Sequence, residues 1–131
     1  MPKILFLDDD ELRIKTFRSH YPSADIARTA SGCIERLERI LDAGEELDEL
    51  YLDHDLDGAP GVDAAVVGTG MDVVNWMAVH SVPVNRLIVH SLNRNRAREM
   101  GFALKKAGYR RINMYSWLKI KADLEGPSWP H

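Results

Sequence analysis

The sequence is nearly free of cysteine. Cys33 is the single one in 131 residues, so no intrachain disulfide can form. That usage fits a reducing compartment. Cys33 lies in "SGCIERLERIL" among helix-forming residues, where a buried structural thiol is the expectation. Long apolar runs are missing as well: nothing approaches the ~18 residues of a membrane span. The opening "MPKILFLDDD" has a short apolar run followed at once by acids, unlike a secretion signal. The expectation is a cytoplasmic chain with no membrane contact. Basic charge is scarce: 17 Lys and Arg stand against 20 Asp and Glu, for a net charge of −3. A broad DNA-binding surface is therefore excluded, while a local cluster holding a small phosphorylated ligand is not. Internal repeats, linkers and low-complexity segments are absent, so residues 1–131 read as one domain.

What is present is alternation. Short apolar runs at Lys3–Leu7, Ala24–Arg28, Glu49–Asp53, Arg86–Val89 and Arg111–Met114 read as strands. Between them, helical patterns run from Glu11 to His20, Ser31 to Ala43, Thr69 to His80 and Arg94 to Ala107. Leu12, Ile14 and Phe17 are the expected apolar members of the first helix, and Ile34, Leu37, Ile40 and Leu41 of the second. "TGMD" is a capping pattern for the third helix. The tail holds at most a short helical turn or two. Strands alternating with helices imply βαβ units and a parallel sheet, an α/β fold.

In such sheets ligands bind outside the carboxyl ends of the strands. There the chain carries Asp8, Asp9 and Asp10, then Asp53, His54 and Asp55, then His90 and Ser91. Converging carboxylates repel one another, and a divalent cation among them relieves this. Oxygen donors suit Mg²⁺ or Mn²⁺. Asp8, Asp9, Asp53 and Asp55 are the candidate metal ligands, although any single Asp at such a place also serves as a helix cap. His54 and His90 are candidate general acid/base groups. Strand alternation puts Asp53 and Asp55 on one side and His54 on the other, which leaves His54 an alternative role in packing. Ser91, Asn93 and Arg94 open the fourth helix, whose free N–H groups can hold phosphate; each is equally readable as a cap or a solvated charge. His20, His80 and His131 have no such neighbours and read as surface residues. The segment 57–70, "DGAPGVDAAVVGTG", is long for a connection and is the candidate cover for a substrate.

The motifs "KILFLDDDE", "DELYLDHDL" and "LIVHS" resemble the receiver fold of two-component response regulators. The resemblance covers about residues 3–115, with 116–131 as a tail. It implies a receiver/flavodoxin-like, doubly wound five-stranded parallel sheet of order 2-1-3-4-5. It also implies Mg²⁺ at Asp8, Asp9 and Asp53, phosphate accepted on Asp53, and Ser91 as the residue ending the fourth strand. The last helix, expected to be short or absent, departs from it, and so do two further features. No Lys-Pro ends the fifth strand, "RINMYSWLK", where Lys119 lies too far downstream, and His54 and Asp55 replace the usual apolar residues. A "DDE/DDD…R" opening, "LDHDL", "TGMD" and "HSLN" followed by Met100 are similar to the cyclic-phosphate processing receiver domain family. That resemblance implies action on cyclic or terminal phosphates of a nucleotide or an RNA end. The expectation is therefore a metal-dependent phosphoesterase. Its rivals are a stand-alone receiver phosphorylated on Asp53 and a non-catalytic nucleotide-binding or partner-docking module.

Overall fold

A computed structural model describes residues 2–56 and 68–126. Five strands form one parallel sheet in the order β2-β1-β3-β4-β5. They are β1 (Ile4–Leu7), β2 (Asp25–Ala27), β3 (Leu47–Asp53), β4 (Val84–His90) and β5 (Ile112–Met114). The described helices are α1 (Glu11–His20), α2 (Ala30–Asp42), α3 (Gly70–Val79), α4 (Arg94–Lys106) and α5 (Trp117–Glu125). The expected sheet order holds, and the last helix is present and short at nine residues. Among the described residues, no helix is long and apolar enough to cross a membrane.

Side chains alternate across the strands and divide the core in two. Leu5, Leu7, Leu50, Leu52, Leu87 and Val89 face α2, α3 and α4, where Leu37, Val73, Met77, Met100 and Leu104 meet them. Ile4, Phe6, Tyr51 and Ile88 face the other way, against Ile14 and Phe17 of α1 and Ile120 of α5. Phe6 and Phe17 stack with ring centroids 4.1 Å apart. Cys33 is fully buried, and burial pushes its thiol up to about 12, as an inert core residue requires.

Some local expectations shift. Leu12 is 78% exposed instead of packed. It precedes Ile14 by two residues, about 200° around a helix, so the two cannot share a face. β3 begins at Leu47, ahead of Glu49, because the backbone N–H groups of Asp48 and Glu49 donate to Lys3 O despite their polar side chains. α2 is capped by Thr29, whose hydroxyl accepts from Gly32 N–H at 3.0 Å. His20 and His80 are exposed, as expected. Of the segment 57–70 only residues 68–70 are described; the expected substrate cover falls outside the described residues, as does His131.

The start of α3 touches the end of β3. Gly70 N–H donates to His54 O at 3.1 Å, and Asp72 accepts from Thr69 N–H at 2.8 Å. A Cβ on Gly70 would lie 2.2 Å from Asp53 O and 2.9 Å from Met100 Cε. Only glycine allows that approach, and the obstructing carbonyl belongs to a central strand. Gly70→Ala is expected to cost about 1–3 kcal/mol or more in urea unfolding, typical of overpacking. A variant as stable as the parent would show that the backbone yields there.

Candidate metal and phosphate site

The site begins as a matter of register. Leu7 pairs with Leu52, and Asp53 pairs with His90. Asp8 therefore follows β1 directly beside Asp53, and alternation turns Asp8, Asp53 and His90 to the side of Phe6, Tyr51 and Ile88. All three are buried, at 0%, 2% and 1% exposure. One donor atom from each lies within 4.8 Å of the others, the geometry of a metal-binding group.

Two turns aim the carboxylates. Asp10 N–H donates to Asp8 Oδ1 at 2.9 Å, and Asp55 N–H donates to Asp53 Oδ1 at 3.2 Å. Each is an Asx-type bond to the residue two positions on. The Oδ2 atoms then share one cation: Arg13 Nη1 lies 3.4 Å from Asp8 Oδ2 and 3.9 Å from Asp53 Oδ2. Arg13 sits on the first turns of α1, which Asp10 caps by accepting from Leu12 and Arg13 N–H. His90 Nδ1 is 3.8 Å from Asp8 Oδ2, and its ring stacks on Phe6 at 5.6 Å. His90 Nε2 is buried with no hydrogen-bond partner among the described residues.

The electrostatics follow from burial. Desolvation first, and the Asp8 charge second, push the Asp53 carboxyl up to about 8. Asp8 is raised chiefly by desolvation, against the Asp10 N–H bond and Arg13, with Asp9 adding repulsion. Burial, with Arg13 nearby, pushes His90 down to about 3. The imidazole is thus neutral at physiological pH, the form that binds metals. Two ionisable carboxyls and one neutral imidazole, which carries the unsatisfied nitrogen, fit a divalent cation well.

A second constellation lies next to the first. His54 Nδ1 and Asp55 Oδ1 are 2.9 Å apart, and Ser91 Oγ donates to Asp55 Oδ2 at 3.1 Å. Ser91 Oγ also accepts from Asn93 N–H at 3.1 Å. Asn93 caps α4, accepting from Asn95 and Arg96 N–H. Arg94 is exposed on the first turn of α4.

The expected residues thus divide. Asp8, Asp53 and His90 come together as one donor group, and Asp9 flanks Asp8. His54, Asp55, Ser91 and Asn93 form a hydrogen-bonded string across the ends of β3 and β4. His90, not Ser91, is the β4 residue paired with Asp53. Sequence reasoning assigned Arg13 no role; the arginine of the "DDD…R" opening, three residues after the capping Asp10, was its only signal. Lys119 bonds Asp123 at 2.9 Å and lies over the Tyr115 ring, so Arg13 is the cation paired with both aspartates among the described residues.

Solved structures with this architecture are receiver domains. The isolated receiver domain of RcsB from Salmonella enterica serovar Typhimurium, in the presence of phosphomimetic BeF3-, is 14% identical. Its TM-score is 0.59, over 95% of this chain and 83% of that one. The N-terminal domain of a response regulator/sensory box/GGDEF 3-domain protein from Carboxydothermus hydrogenoformans is 15% identical, with a TM-score of 0.50 and 94% of both chains covered. In an RcsB–DNA complex the chain spans about half of the regulator: 86% of this chain against 52% of that one, at 15% identity and a TM-score of 0.53. These similarities establish the class as a receiver fold. Residues 3–106 match the cyclic-phosphate processing receiver domain, and the chain belongs to that family. No curated protein matches the chain.

A pH dependence follows. The folded state holds the Asp53 proton up to about 8, against 3.8 ordinarily, so its stabilising contribution is lost as pH rises through that range. His90 acts oppositely, since its contribution is lost as pH falls below 6.5 towards 3. Between about pH 6.5 and 8 only the carboxyl effect operates. Metal-free protein is expected to lose Tm across that window, and Asp53→Asn to flatten the loss. Added Mn²⁺ should raise Tm more at pH 8 than at pH 5. A Tm that is flat in the parent, or unchanged by the substitution, contradicts the assignment.

Proposed function

We propose that the chain is a metal-dependent phosphoesterase acting on cyclic or terminal phosphates of a nucleotide or an RNA end. The observation that carries this reading is the buried Asp8–Asp53–His90 donor group beside a hydrogen-bonded His54–Asp55 pair. Asp8, Asp53 and His90 would hold the cation, with Asp9 flanking it. A bound Mg²⁺ or Mn²⁺ would supply charge stabilisation at the phosphoryl oxygens and a more acidic water. The imidazole donor favours Mn²⁺ of the two, because Mg²⁺ prefers oxygen.

The proton work falls to His54. Asp55 on Nδ1 fixes the tautomer that leaves Nε2 as base. His54 takes a proton from the water that attacks phosphorus. As the phosphorus–oxygen bond of the ring breaks, that proton returns to the released hydroxyl. His90, neutral and enclosed, serves as a ligand and not a proton carrier. Asp55 orients His54 and Ser91, and the N-terminus of α4 with Ser91, Asn93 and Arg94 receives the phosphate.

The test is hydrolysis of a panel of cyclic nucleotides and cyclic-phosphate RNA ends with Mn²⁺. His54→Ala should lower kcat by about 10²–10⁴-fold while calorimetric Mn²⁺ binding persists; Asp8→Asn should lose both. Bound metal without turnover across the panel sinks the proposal. The receiver fold and the position of Asp53 at the end of β3 also favour a second reading, a receiver phosphorylated on Asp53. Incubation with acetyl phosphate separates the two, since a phosphoryl adduct on Asp53 by mass spectrometry selects the second.

A further inference from the structure

The chain is acidic, yet one segment of it is strongly basic. Residues 94–111 hold seven of the 17 basic residues and one of the 20 acidic ones. Elsewhere, Arg28, Arg36, Arg86 and Lys119 are each paired with a carboxylate, while Lys15, Arg18, Arg39 and Lys121 have no ion pair among the described residues but are spread over three helices. In this segment Arg96 pairs with Glu99, whereas Arg98, Lys105, Lys106 and Arg110 have no ion pair among the described residues. Their charge is uncompensated, on a surface that nothing else in the described chain covers.

Helical spacing gathers part of this charge. At 100° per residue, Arg98, Phe102 and Lys105 fall within an arc of about 60° on α4. Ala97, Met100, Gly101 and Leu104 occupy the buried side. Arg98 and Lys105 are exposed, and Phe102 between them is 75% exposed. This face of α4 thus presents an aromatic ring between two cations. That is the pattern of single-strand recognition, in which a base stacks on the ring and phosphates meet the cations.

The direction of the helix matters as much as its charge. α4 starts at Asn93, beside Ser91 and Asp55, and crosses back along the sheet towards Arg110 and Arg111 ahead of β5. From Arg94 to Lys105 the rise is about 16 Å, enough for a few nucleotides. The stripe begins where the terminal phosphate would sit and leads away from it.

We propose that α4 is a track for a single-stranded polynucleotide, so that the substrate is the phosphate-bearing end of an RNA strand and not a free cyclic nucleotide. The substrate half of this statement rests on the phosphoesterase reading; the binding half does not. Charge complementarity selects a polyanion, and Phe102 selects one that carries bases over an acidic peptide.

Binding is measured with a short fluorescein-labelled oligouridylate by anisotropy, using the whole chain. Phe102→Ala should weaken binding about 5–150-fold, the range of one lost base stack. Arg98→Gln combined with Lys105→Gln should reduce the salt dependence. The parent slope of log K against log salt is expected near −2 to −3 for three or four phosphates. None of these exposed positions contributes to the core, so circular dichroism should be unchanged. The oligodeoxyuridylate shows whether the 2′-hydroxyl contributes. Polyglutamate that competes as well as the oligonucleotide, or an affinity unmoved by Phe102→Ala, overturns the track. Hydrolysis is then compared on an RNA end and on a ribonucleoside 2′,3′-cyclic phosphate. A kcat/KM that favours the RNA end, and loses that advantage in Phe102→Ala, supports the proposal. Equal kcat/KM values overturn the substrate assignment and leave the phosphoesterase reading intact. Binding along α4 without any hydrolysis supports the track and overturns the phosphoesterase reading, and the substrate assignment with it.

Discussion

Two carboxylates side by side, nearly out of reach of water, set the terms for this end of the molecule. Asp8 and Asp53 stand at the ends of adjacent strands; burial raises the proton affinity of both, and the Asp8 charge raises that of Asp53 further. Such a pair persists only if positive charge and hydrogen-bond donors are supplied from the surroundings. The chain supplies both: N–H groups two residues on, and the Arg13 guanidinium on the Oδ2 side. α1 must therefore dock where its first turns reach the sheet edge, and Asp10 caps it there. The imidazole of His90 stays uncharged beside them. The Arg13 guanidinium is the positive charge that both carboxylates meet among the described residues.

The neighbouring string has a different character. His54, Asp55 and Ser91 are held by ordinary hydrogen bonds, and the Asp55 side chain is about half exposed. A buried carboxylate–imidazole group thus lies next to a wetter, hydrogen-bonded string. The positive charge beside Asp53 arrives from α1; β5 (Ile112–Met114) carries no lysine, and Lys119 on α5 is occupied by Asp123.

Much of this was legible in the residues. "ILFL" followed by three aspartates, and "LYLD" followed by His54 and Asp55, announce buried strands with polar carboxyl ends, and the alternation of strands and helices announces their parallel order. What could not be read was register. That Asp53 lies opposite His90, and not opposite Ser91, depends on how β3 and β4 align, and a shift of one residue would reverse every side chain. Arg13 escaped for a related reason: its reach to two strands is a property of how α1 packs, not of its neighbours in sequence. Leu12 is apolar by type, but its angle on α1 turns it to solvent. The polar Asp48 and Glu49 hid the start of β3, where backbone pairing overrides side-chain character.

The aromatic stack behind the site joins two things usually treated apart. His90 lies on Phe6, Phe6 on Phe17, and Trp117 of α5 leans against Phe6 at 6.3 Å. A ring that helps to hold a donor imidazole is thus also the central ring of the α1/α5 core. A substitution at Phe17 or Trp117 would therefore disturb the packing behind His90 together with the core, so the site and this half of the core share one set of contacts.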